Sequence, residues 1–104
     1  MIPGRIDIAQ RPAIVDAKSR LGDWELDSII GAKHRGAITS VMEHKTKLIM
    51  LVLLDGPTSK ATKEGIIARL EPLKKHVLTL TSDNGKEFAG HAEISKKLGS
   101  GFYF

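Results

Sequence analysis

Between Trp24 and Leu54 three strand-like runs follow one another so closely that only tight reversals can join them, which forces neighbouring strands to run antiparallel. The runs are Trp24 to Ile30, closed by Gly31, then Ala37 to Glu43, then Lys47 to Leu54. A polar turn, His44-Lys45-Thr46, separates the second from the third. The longest apolar stretch, Leu48 to Leu54, is far too short to span a bilayer and suits a buried strand. After Asp55-Gly56-Pro57 the period changes. Thr58 can cap a helix, and Ile66, Ile67, Leu70 and Leu73 mark one face of it, with Gly65 a mild weakness. Val77 to Thr81 reads as a fourth strand, stopped by Asp83-Asn84-Gly85. A second helix is predicted from about Lys86 to Leu98, with Gly99 as its stop, and Phe102-Tyr103-Phe104 begins a fifth strand.

The order βββαβαβ predicts an α/β fold, a mixed five-stranded sheet with helices on its faces. Residues 1 to 22 lack a sustained period and are punctuated by Pro3, Gly4 and Pro12, so they read as an arm or linker before a core from 23 to 104. An apolar content of 41% and a charged content of 27% are enough for one modest core. The chain has no cysteine, which removes disulfides and thiolate metal sites, and no signal-peptide pattern opens it; together these favour the cytoplasm, with no membrane partner. A net charge of +4 suits a polyanion such as DNA, while one Trp and one Tyr give little basis for stacking single strands.

Two carboxylates stand out. Asp27 interrupts an otherwise apolar strand, where a charge is costly unless paired or bound to metal. Asp83 opens the turn at the end of the fourth strand, where α/β sheets bind ligands. If the first and fourth strands are neighbours, the two face each other, and a divalent cation resolves their repulsion. Taken alone, Asp83-Asn84-Gly85 is also a common structural turn, and Asp27 reads equally as a hydrogen-bonded structural residue or one on an exposed edge. Lys33, His34 and Arg35 after the first strand, and Lys86 after the Asp83 turn, are candidate phosphate contacts or else solvated loop charges. His34, His44, His76 and His91 share no metal-ligand spacing and read as surface residues; Trp24 and Phe88 read as core anchors.

Trp24-x-x-Asp27 before a β meander, with Thr81-Ser82-Asp83-Asn84-Gly85-Lys86-Glu87-Phe88 after a helix and strand, resembles the retroviral-integrase-like DDE core. The segments Arg11 to Val15, Ser19 to Glu25 and Leu78 to Phe88 resemble bacterial transposases of the insertion-sequence-thirty family more closely, over nearly the whole chain. The resemblance implies a ribonuclease H-like fold and a site of three carboxylates and two Mg²⁺ or Mn²⁺ ions. Asp27 and Asp83 match the first two carboxylates. The ions would drive in-line attack on a DNA phosphodiester with no covalent protein nucleophile. The family's glutamate stands farther downstream than Phe104, and Glu87 and Glu93 are too near Asp83 to replace it. The C-terminal helices and the N-terminal DNA-reading domain are also missing from the pattern. The expectation is therefore a truncated core, inactive by itself, whose uncovered surface makes it a homo-oligomer through the last strand or second helix. The alternatives are a nuclease on the same fold and an inactive remnant that only binds nucleic acid or self-associates. The alternative to the oligomer is a monomer whose arm, residues 1 to 22, folds over the uncovered region.

Overall fold

The computed structural model describes residues 4–30, 37–54, 56 and 58–104. Five strands, β1 (Asp23–Ile30), β2 (Ala37–Glu43), β3 (Ile49–Leu54), β4 (Thr79–Thr81) and β5 (Gly101–Tyr103), form one sheet in the order β3-β2-β1-β4-β5. β2 runs antiparallel to β1 and β3, whereas β4 is parallel to both β1 and β5. The helices are α1 (Ile14–Ala17), α2 (Ser59–Leu70) and α3 (His91–Leu98). The mixed α/β architecture and the order of its strands and main helices are those expected from the periodicity.

Alternation along the strands decides which face meets the helices. Trp24 and Leu26 of β1, Val41 of β2, Val52 of β3 and Leu80 of β4 turn into one core with Ile66, Leu70, Phe88, Ile94, Leu98 and Phe102. The Trp24 indole N–H donates to the His76 carbonyl at 2.9 Å, so its polar edge is satisfied inside that core. Thr58 caps α2 through its hydroxyl, which accepts from the Ala61 N–H at 3.1 Å. Gly99 ends α3 in the left-handed conformation at φ 65°.

Several boundaries move, each for a local reason. β3 starts at Ile49 rather than Lys47, because Lys47 adopts φ 64° and its N–H bonds the Glu43 carbonyl, closing the turn. The expected second helix divides into a 3₁₀ turn, Lys86–Phe88, and α3, with Gly90 between them. The N-terminal segment is more ordered than its composition suggests. It contains a 3₁₀ turn at Ile8–Gln10 and α1, and Val15 is fully buried. β3 is not a buried strand: as a sheet edge covered by helix on one side only, it leaves Leu53 79% exposed while Val52 is buried. No helix among the described residues is long and apolar enough to cross a membrane.

Candidate active site

Asp27 lies in the middle of β1, opposite Ser40 of β2. With Trp24 and Leu26 turned into the core, strand alternation sends Asp27 outward, and its side chain is exposed. The expectation of a carboxylate costly to bury is therefore corrected: Asp27 stands on the open face of β1, where its charge is solvated. Asp83 follows β4 by two residues and is likewise exposed. Its Oδ1 accepts the Gly85 N–H at 2.8 Å, a local turn that fixes the carboxylate at the strand's end.

The β1–β4 register pairs Glu25 with Thr81. Both strands run the same way, and Asp27 and Asp83 each lie two residues beyond that pair. Sheet pairing itself ends at Thr81, so Asp83 stands just beyond the ladder. Both groups supply hard oxygen donors open to solvent, which suits Mg²⁺ or Mn²⁺ with much of the shell left to water. Among the described residues, no group of three or more His, Cys, Asp or Glu side chains gathers closely enough to hold a metal ion. Lys86 begins the 3₁₀ turn after Asp83 and is exposed. Lys33, His34 and Arg35 lie outside the described residues.

Sequence reasoning allowed the N-terminal arm to fold back on the core but did not identify the arginine contacts it makes. Arg5 Nη1 donates to Asn84 Oδ1 at 3.1 Å, beside Asp83. Arg11 Nη1 donates to Thr81 Oγ1 at 3.0 Å, while its Nη2 pairs with Asp16 at 2.6 Å. Arg20 forms a two-pronged pair with buried Asp23 at 2.8 and 2.9 Å, and Asp23 also accepts from the Thr79 hydroxyl at 2.7 Å. Burial alone would raise the Asp23 pKa; the Arg20 guanidinium and the Thr79 hydroxyl outweigh it and hold the carboxyl below its usual range. Arginine recurring through a segment that seemed a linker was the only available signal.

Glu43 is a second buried carboxylate that sequence reasoning did not single out. It accepts the Gly22 N–H at 3.0 Å and both the N–H and hydroxyl of Thr46, at 2.7 and 2.9 Å. Burial pushes its pKa up, but these donors prevail and lower it to about 2. The histidines need correction too. His44 and His91 are buried, not superficial, and His91 packs against the rings of Phe102 and Phe104. His44 Nε2 lies 3.0 Å from Glu25 Oε1, within ion-pair reach though without hydrogen-bond geometry. His76 is exposed.

No protein-family model matches the chain. Curated relatives do. The chain is 44% identical over 103 residues to the transposase for insertion sequence element IS4351 of Bacteroides fragilis, a match covering 99% of this chain and 32% of that protein. It is 34% identical over 107 residues to the transposase for IS1086 of Cupriavidus metallidurans, covering 99% of this chain and 31% of that one. Transposase InsI for IS30A of Escherichia coli K12 is 29% identical over 98 residues, with 93% of this chain and 25% of the relative covered. The chain thus spans about a third or less of the length of these relatives.

Proposed function

We infer that this chain, related over nearly its whole length to insertion-sequence transposases, forms the part of a transposase catalytic core that carries the first two metal-holding aspartates. The reading is supported by one observation: Glu25 pairs with Thr81 in adjacent parallel strands, and Asp27 and Asp83 each follow two residues later, both exposed, in a chain with those relatives. A ribonuclease H-like fold is part of the proposal, supported by a mixed sheet whose antiparallel meander precedes its helix-linked strands. The substrate is DNA, and the reaction class is cleavage and strand transfer at phosphodiesters.

Asp27 and Asp83 would hold the ions. Divalent ions bound there supply activation of the attacking hydroxyl and stabilisation of the leaving oxygen. Their carboxylates fix where a phosphodiester can sit, because the sheet holds β1 and β4 side by side. Lys86 on the adjoining turn, and Lys33, His34 and Arg35, would contact phosphates and orient the duplex without reading its sequence. Two carboxylates leave part of the coordination shell to other donors, so ion binding to this chain is expected to be weak. Self-association belongs to the same proposal.

The test grafts this chain in place of the matching segment of the Bacteroides fragilis transposase and assays cleavage of transposon-end DNA in Mg²⁺. Cleavage is expected from the graft and should fall to background with Asp27→Asn or Asp83→Asn. Full activity in either substituted protein removes the assigned role.

A further inference from the structure

The N-terminal segment sends three arginines toward β4 and the turn that follows it. Positions 79, 81 and 83 alternate onto one face of that strand and its continuation. Thr79 is held through Asp23 by Arg20, and Thr81 directly by Arg11. Arg5 then holds Asn84, one residue beyond Asp83. The segment is itself anchored: Ile8 N–H donates to the Phe104 carbonyl at 2.6 Å, and Phe104 N–H donates to the Ile6 carbonyl at 2.9 Å. It therefore runs beside the chain's last residues and then reaches back over the sheet to Thr81.

The last residues of β4 need such restraint. The β1–β4 ladder has only three residue pairs and stops at Thr81. Beyond it, the strand is continued by one backbone bond from Ser82 N–H to the Tyr103 carbonyl and by the Asp83–Gly85 turn. The Arg11 side chain is only 9% exposed and its fork is shared between Thr81 and Asp16, a geometry suited to a fixed strut. We propose that Arg5 and Arg11 are positioning residues for Asp83, holding Thr81 before it and Asn84 after it so that its carboxylate is kept beside Asp27. The proposal rests on the reading of Asp27 and Asp83 as ion-holding groups.

Two effects of removing these arginines have opposite signs, which makes the proposal testable. Deleting a positive charge near two carboxylates strengthens cation binding by simple electrostatics. Loss of positioning weakens it. The experiment is a Mn²⁺ titration of this chain followed by paramagnetic broadening of backbone amide signals, with thermal melts confirming that each variant folds. In the unsubstituted chain, broadening should centre on the amides flanking Asp27 and Asp83 with one common half-saturation. Arg11→Met and Arg5→Met should raise the half-saturating Mn²⁺ several-fold and separate the two sets of amides. Arg11→Lys, which keeps the charge but not the fork, should resemble Arg11→Met, and Arg69→Met on the exposed face of α2 should change nothing. Unchanged or tighter Mn²⁺ binding in Arg11→Met and Arg5→Met overturns the proposal. Should Mn²⁺ broaden neither region in the unsubstituted chain, the ion-holding reading falls. The strut is then judged on metal-free exchange of the Gly85 amide: acceleration in both Met variants sustains the restraint on Asp83, and an unchanged rate overturns it.

Discussion

Glu43 shows how much a single buried charge can depend on backbone donors. Its carboxylate closes the β2–β3 turn through Thr46 and reaches across to the Gly22 N–H just before β1. The folded-state pKa of about 2 lies below the ordinary value of 4.5. A depressed acid stabilises the fold above its unfolded pKa, and that contribution is lost as pH falls from about 4.5 towards 2. The difference corresponds to about 3 kcal/mol. The lowered Asp23 acts in the same direction on the same acid limb. Glu43→Gln removes the charge and turns an amide donor against either Gly22 or Thr46. It should cost roughly 1–3 kcal/mol at pH 7 and flatten the acid limb. Urea midpoints at pH 7, 4 and 2.5 check both effects, and equal pH dependence in the two proteins contradicts the assignment. Sequence alone did not mark Glu43, since a glutamate at a strand's end beside a polar turn looks solvated. Asp27 and Asp83 drew attention as carboxylates within a strand and at a strand's end; Asp27 proves exposed rather than buried, and the ion-holding role of the pair stands as a proposal with its own test.

At the scale of elements, periodicity carried most of the information. The meander, the Thr58 cap and the Gly99 stop were all readable, because each depends on local chemistry. The N-terminal segment was not, since its order depends on contacts with Thr81, Asn84 and Phe104 that lie far away in sequence. Gly65 is a further case in which local propensity misleads. Read along the helix it is a weakness, yet a Cβ there would stand 2.5 Å from Leu54 Cδ2 and 3.0 Å from Val52 Cγ1. The glycine lets α2 lie close against β3. Propensity alone predicts that Gly65→Ala stabilises by about 1 kcal/mol. Leu54 can swing aside, but Val52 is buried and stiff at χ1, so overpacking should dominate. A net loss of about 1 kcal/mol is expected, read as a lowered melting temperature. A raised one would show that α2 can move off the sheet freely.

The whole molecule has two sheet edges in very different states. Beyond β5, the N-terminal segment bonds Phe104 in both directions, so the terminal residues earlier expected to recruit a partner already have one within the chain. β3 forms the opposite edge, and Leu48 to Leu54 contains no charge, proline or glycine to discourage pairing. Its outward row, Ile49, Leu51 and Leu53, is more than half exposed, and Ile29 of β1 adds to the same face. A second copy of β3 meets both needs at once. Turned about a two-fold axis normal to the sheet, it runs antiparallel, completes the backbone ladder and extends the apolar row on the same side. Self-association through β3 is therefore the expected form of the proposed oligomer. Light scattering over a concentration series should show a mass rising towards a dimer. Leu51→Lys places a charge at the centre of the exposed row, where it leaves the core untouched but meets its own counterpart across the axis. It should hold the chain monomeric at concentrations where the unsubstituted protein dimerises. A dimer that survives Leu51→Lys places the contact elsewhere, and a monomer at every concentration in the unsubstituted chain removes self-association from the proposal while leaving the assignment of Asp27 and Asp83 to its own test.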